Sequence, residues 1–207
     1  MELQQQLFGH WHRYKDGTID WPALQQSCRP IRQAFEATLQ RVQGLLSTGH
    51  DVLEIGCGWG GLADIGAREF GAHMTGITLS PSQLAYAQER LQDVKQATDL
   101  RLQDYRDTQD GPYDAVCSIE MIEAVGRDYW PTYFQTIARL LKPGGHACIQ
   151  SIVIDDALFD RYALGTDFIQ QYIFPGGFLP SRKTFMAQAH AAGLQVTDAL
   201  AFGLDYA

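Results

Sequence analysis

The chain has 207 residues, 45% of them hydrophobic and 19% charged, with a formal net charge of −8. That is enough chain and enough apolar content for one α/β domain with its own core. The acidic balance and the lack of a basic stripe exclude the charge pattern of a nucleic-acid binder and oppose strong attraction to anionic lipid.

No apolar run reaches the roughly 20 residues that a bilayer-spanning helix needs. The opening MELQQQLFGHWHRYKDG has no basic flank followed by an apolar core, so no secretory leader is expected. Cys28, Cys57, Cys117 and Cys148 form no CxxC pair. They read as buried, reduced thiols of a cytoplasmic protein rather than as metal ligands or a disulfide framework.

Residues 1–49 read as an N-terminal helical segment and 50–207 as the main domain. From 22 to 46, Leu24, Ile31, Phe35, Leu39, Val42 and Leu46 recur at helical spacing, which predicts one or two helices. Phe8, Trp11, Tyr14 and Trp21 fit packing of those helices, with the lining of an acyl channel as the alternative. His10 and His12 alone make no metal site. A strand is expected at 51–55 (DVLEI), a glycine turn, a helix over 61–70 and a strand at 73–78. Ser80 followed by Pro81 is a helix cap with proline at the first helical position, and that helix runs to about 91. Strands follow at 100–103 and 113–119. A helix over 129–141 is stopped by Lys142-Pro143-Gly144-Gly145, and a strand covers 146–154. An inserted helical segment is expected at 156–173, a turn at 175–177, a helix over 181–192 capped by Ser181, and a sixth strand at 194–202. Such alternation implies parallel β-α-β units, an α/β doubly wound sheet.

The sharpest local signal is Glu54-Ile-Gly56-Cys-Gly58-Trp-Gly60-Gly61 directly after the first strand. Glycine permits a tight turn and lets a ligand approach bare backbone at the carboxyl end of a strand, where doubly wound folds bind ligands. A turn with no ligand is the bland alternative. The spacing is not GxGxxG, and the second strand ends Gly76-Ile-Thr78-Leu79-Ser80 without the acid expected for a nicotinamide dinucleotide. The GK[ST] of a phosphate loop is missing as well. An acid on the first strand followed by GxGxG resembles instead the first motif of class I S-adenosylmethionine-dependent methyltransferases, whose sheet is Rossmann-like and mostly parallel.

LEIGCGWGGLA (53–63), GITLSPSQLAYA (76–87) and YIFPGGFLPS (172–181) together resemble the cyclopropane-fatty-acyl-phospholipid synthase family, which includes the mycolic acid cyclopropane synthases. The match runs from about residue 50 to 207. The resemblance implies transfer of a methylene or methyl group from S-adenosylmethionine to a cis double bond in the acyl chain of a phospholipid. A methyltransferase for another hydrophobic substrate and a non-catalytic cofactor-binding domain are the alternatives. It implies a cofactor loop of Leu53, Glu54, Gly56, Cys57, Gly58, Trp59, Gly60 and Gly61. Thr78, Leu79, Ser80 and Gln83 would reach the ribose and adenosine, Tyr105 and Arg106 would lie on the adenine side, and Ile119 would pack near the cofactor. The plain structural alternatives are that Thr78 and Gln83 cap a helix and that Tyr105 and Ile119 are core.

In the family a bound bicarbonate is the base that removes a proton after methyl transfer. Glu123, in SIEMIEAVG (118–126), matches the glutamate that holds it; an exposed acid at a helix start is the alternative. Glu120 is a second, less favoured acid. Gln150 stands where many members carry histidine; it can bind an anion but cannot carry a proton. Both Glu123 and Gln150 are expected at the catalytic centre, with no metal. The family also continues past the position of Ala207, with a further tyrosine and a last strand. A shortened member with impaired catalysis, unless a partner supplies the rest, is therefore the expectation. Its partners would be an unsaturated phospholipid, touched peripherally at the inner membrane face, and a second copy of the chain in a homodimer.

Overall fold

The computed structural model describes residues 41, 42, 44–165, 170 and 176–201. The expected N-terminal helices up to residue 40, with Phe8, His10, Trp11, His12, Tyr14, Trp21 and Cys28, lie outside the described residues. So do 166–169, 171–175 and 202–207, which include most of the YIFPGG motif. The chain divides into two compact units, Met1–Arg41 with Asp198–Ala207, and Val42–Thr197.

Five parallel strands form one sheet: β1 (Asp51–Ile55), β2 (His73–Thr78), β3 (Thr98–Leu102), β4 (Tyr113–Ile119) and β5 (Leu141–Gln150), in the order β3-β2-β1-β4-β5. The helices are α1 (Gly61–Phe70), α2 (Pro81–Arg90), α3 (Trp130–Leu140), α4 (Asp156–Ala163) and α5 (Arg182–Ala191). This is the Rossmann-like α/β arrangement that the alternation of strands and helices implied. The central strands read as continuous apolar runs because both their faces are covered. Leu53, Ile55, Ile77 and Val116 of the sheet pack with Trp130, Tyr133, Phe134, Ile137 and Leu140 of α3, all of them buried.

The chain leaves β1 for β2 and β3 on one side, then returns to place β4 on the other. The strand order therefore reverses beside β1, and the crevice outside the carboxyl ends of β1 and β4 is where a ligand fits such a sheet. One ion pair joins the flanking helices α1 and α2: Asp64 of α1 takes Arg90 of α2 at 2.9 Å, beside its pair within α1 to Arg68 at 2.5 Å.

Three local expectations are corrected. β3 begins at Thr98, two residues before the predicted start. The Lys142–Gly145 stretch does not separate helix from strand. Leu141 already pairs with Tyr113 and His146 with Ala115, so the intervening residues form a bulge inside β5. No residue of 194–201 is in a strand, although its alternation suggested a sixth. A strand exists only where a neighbour offers a ladder, and alternation alone does not supply one.

Ser80 and Ser181 act as the predicted N-caps, accepting from Gln83 N at 3.3 Å and Thr184 N at 3.2 Å. Ser181 is buried and also pairs with Ile154 beyond β5. Ser181→Ala is expected to cost about 1 kcal/mol, read as a lowered urea midpoint with an unchanged slope. Cys57 and Cys117 are buried and Cys148 half-buried, and among the described residues none is in a disulfide. Among the described residues no helix is long and apolar enough to cross a membrane.

Candidate functional site

The glycine turn caps the end of β1. Gly56, Gly58 and Gly60 have φ of 84°, 51° and 77°, in the left-handed region that side chains resist. Gly56 N and Cys57 N both donate to Ile77 O at 2.9 Å, which folds the turn over the end of β2. Gly60 then caps α1, its carbonyl accepting from Asp64 N at 3.0 Å. A Cβ on Gly60 would lie 3.0 Å from that of Ala87, so glycine lets α1 and α2 approach; one on Gly58 or Gly61 would meet nothing within 4 Å. The turn therefore has a packed side and an open side.

Gly76 is a hidden part of this construction. A Cβ there would fall 2.8 Å from Leu100 Cδ2 and 2.9 Å from Cys57 Cβ. Gly76→Ala is expected to cost about 1–3 kcal/mol by overpacking and to lift the turn at Cys57. A thermal melt reads the first effect and faster amide exchange at 56–60 the second.

Glu54 lies at the base of the turn, only 4% exposed. Its carboxyl accepts from the backbone of Ala63, while Oε2 has no partner. Burial pushes its pKa up to about 8. The Cys57 thiol is pushed up to about 12, by burial first and by the nearby Glu54 second, so it is no nucleophile at neutral pH. An unpartnered buried carboxyl oxygen is uncommon in a folded protein and marks a place where a donor or a cation belongs.

The rest of the expected cofactor set lies in or after strands β1, β2, β3 and β4. Leu53 lies inside β1 in the core. Trp59 is half exposed and meets Tyr86 edge to face, centroids 5.4 Å apart. Thr78 is buried and donates to Gln83 Oε1 at 2.9 Å, and Ser80 N donates to Thr78 Oγ1 at 3.2 Å. These bonds cap α2 and also hold the Gln83 side chain at the end of β2. Leu79, 71% exposed, points out from the same edge. Tyr105 and Arg106 form a 3₁₀ turn after β3. Tyr105 meets Tyr133 edge to face with centroids 5.7 Å apart, and Arg106 pairs with Asp104 at 2.6 Å while its guanidinium lies over Tyr129 at 5.5 Å. Ile119 ends β4 and pairs with Gln150, the last residue of β5.

Glu123 is not the exposed acid of the bland alternative. It sits in a 3₁₀ turn at 8% exposure, its Oε1 accepting from Ile152 N and its Oε2 without a partner. Burial, more than anything else, raises its pKa. Its carbonyl accepts from Phe178 N at 2.9 Å, which ties the 3₁₀ turn to the segment before α5. Gln150, expected to share a site with Glu123, bonds to Glu120: Nε2 donates to Oε1 at 2.8 Å. One contributor escaped sequence reasoning: the Ile152 amide acts through its backbone and leaves no residue-type signal. Glu120, the less favoured acid of the sequence, is the one that meets Gln150. Among the described residues no three His, Cys, Asp or Glu side chains are placed to hold a metal ion.

The family model for mycolic acid cyclopropane synthetase matches residues 29–207. The chain is 41% identical over 189 residues to the tuberculostearic acid methyltransferase UfaA1 of Mycobacterium tuberculosis, covering 90% of this chain and 43% of that protein. It is 36% identical over 194 residues to the cyclopropane-fatty-acyl-phospholipid synthase of Escherichia coli K12, covering 89% of this chain and 48% of that protein. It thus spans less than half the length of these relatives. Its fold matches the crystal structure of the mycolic acid cyclopropane synthase CmaA1 complexed with SAH and CTAB. There the TM-score is 0.74 at 26% identity, over 84% of this chain and 66% of that one. With the sheet order, the glycine turn and the family model all agreeing over most of its length, the chain belongs to the mycolic acid cyclopropane synthetase family.

Proposed function

We propose that this chain binds S-adenosylmethionine on the β1 turn and transfers a methyl or methylene group to the cis double bond of an unsaturated phospholipid acyl chain. The observation that carries the reading is the pairing of a bare-backbone turn, open at Gly58 and Gly61, with the buried Glu54 oxygen that lacks a partner. Those residues fit the cationic, amino-acid end of that cofactor. When bound it supplies a methyl group already activated on a sulfonium sulfur. Leu53–Gly61 hold the amino-acid end, Thr78–Gln83 the ribose and adenosine, and Tyr105 and Arg106 the adenine side, with Ile119 packed near the cofactor.

An alkene is a weak nucleophile, so the protein's task is to orient it and exclude water. Ile152 and Val153, exposed and directly after β5, offer an apolar surface at the same edge of the sheet. The acyl substrate sets the working position at the inner membrane face, reached from the cytoplasm by peripheral contact. Burial raises the pKa of Glu123 and so favours its protonated form, whose O–H would hold an anion such as bicarbonate. Gln150, at the neighbouring strand end, adds hydrogen bonds without carrying a proton. Such an anion would accept the proton that the acyl chain loses.

The test is incubation of the chain with methyl-labelled S-adenosylmethionine and vesicles of dioleoyl or fully saturated phosphatidylethanolamine. Label in the dioleoyl lipid alone supports the reading. No label in either lipid, with cofactor binding intact, would contradict the acyl substrate.

A further inference from the structure

Glu120 is the one residue other than glycine with positive φ among the described residues, at 51°. Left-handed backbone disfavours a side chain, and such outliers gather where a site needs them. Here the conformation does three things. The chain leaves β4 sharply, so that Met121 lands against the cofactor turn, where a Cβ on Gly56 would lie 3.0 Å from Met121 Cγ. Ile122 is then driven into the core and Glu123 is buried two residues on from Met121. Finally, Glu120 grips Gln150 at two points: its N donates to Gln150 O at 3.0 Å and its Oε1 accepts from Gln150 Nε2 at 2.8 Å.

The second grip fixes chemistry as well as position. A carboxylate only accepts, so Gln150 must turn its NH₂ toward Glu120 and its Oε1 away. The amide is thereby locked in one of its two flips. Burial raises the pKa of the Glu123 carboxyl, and the nearby Glu120 carboxylate adds to that shift in the same direction. Other groups facing Glu123 are the Ile152 amide and the Ser151 hydroxyl, which act in the opposite sense.

We propose that Glu120 is a positioning residue for the proposed transfer: its left-handed backbone and its bond to Gln150 hold the amide of Gln150 in one orientation at the carboxyl end of β5. The proposal rests on the acyl-transfer reading above. It implies that an unfavourable backbone conformation is kept for the site and not for the fold, and glycine separates the two roles. Glu120→Gly keeps the φ and removes the carboxylate.

The variant is expected to melt at or above the wild-type temperature. It should also lose the downfield, slowly exchanging Gln150 side-chain amide signal in 15N NMR, and show kcat lowered about tenfold or more with KM for the cofactor unchanged. Glu120→Gln, which keeps an acceptor for Gln150, is expected to restore that signal and part of kcat. Glu120→Gly melting well below wild type would make the residue structural and overturn the proposal. So would an unchanged Gln150 signal or an unchanged kcat. If wild type labels no lipid, the acyl-transfer reading fails by itself, and the NMR signal and the melt still decide whether Glu120 locks the amide.

Discussion

Gly56→Val is expected to abolish cofactor binding and to lower stability by about 2–6 kcal/mol, the sum of backbone strain and overpacking. Gly56 sits at φ 84°, where a β-branched side chain is a genuine outlier, and its Cβ would press on Met121 Cγ at 3.0 Å. Against a domain stability of roughly 5–15 kcal/mol, that is a large fraction. The strain falls where the turn crosses β2 and where Met121 arrives from β4, so both halves of the crevice shift together. Chemical denaturation reads the stability and calorimetric titration the binding. Gly58→Ala separates the two effects. With φ 51° and open space at its Cβ, it is expected to cost only about 1–2 kcal/mol. It should fold, and still weaken binding by placing a methyl group on the open side of the turn.

The second large effect is on pH. Glu54 has its folded pKa raised to about 8 by burial, from 4.5. Below pH 4.5 the group is neutral in both the folded and the unfolded chain, and its contribution to stability is fully present. Between 4.5 and 8 only the unfolded chain ionises, so that contribution falls steadily, by about 4–5 kcal/mol in all. Glu123, raised in the same direction, adds to the loss. Asp64, Asp104 and Asp110 are lowered and act the other way, but their stabilisation is lost only as pH falls through the acid range. Stability of the ligand-free chain is therefore expected to peak at mildly acidic pH and to decline toward pH 8. Glu54→Gln should flatten the decline and leave the variant more stable than wild type at pH 8. Melts at pH 5, 6.5 and 8 check both statements; a wild-type profile that rises from pH 5 to 8 would contradict them.

Much of the fold was legible because its signals are local. DVLEI, HMTGIT and YDAVCSI are short apolar runs between turn residues, and Ser80 and Ser181 announce the starts of α2 and α5. The glycine turn was equally plain, since the left-handed positions at 56, 58 and 60 strongly favour glycine. The features that escaped are non-local. The bulge at 142–145 depends on how β5 slides along β4, and KPGG reads as a stop without that knowledge. The 194–201 stretch alternates like a strand, yet no ladder takes it up among the described residues. Glu120 and Gln150 lie 30 positions apart and meet only because β4 and β5 are neighbours. The burial of Glu123 likewise depends on a positive φ three residues earlier, which nothing in a glutamate announces.

The most direct measurement is calorimetric titration of the chain with S-adenosylmethionine at pH 7 in two buffers of different ionisation enthalpy. Saturable one-to-one heat is expected, with a buffer-dependent part that reports proton release as Glu54 ionises against the incoming cation; Glu54→Gln should lose the buffer dependence. Wild type that gives no saturable heat in either buffer would contradict the assignment of the β1 turn as the cofactor site.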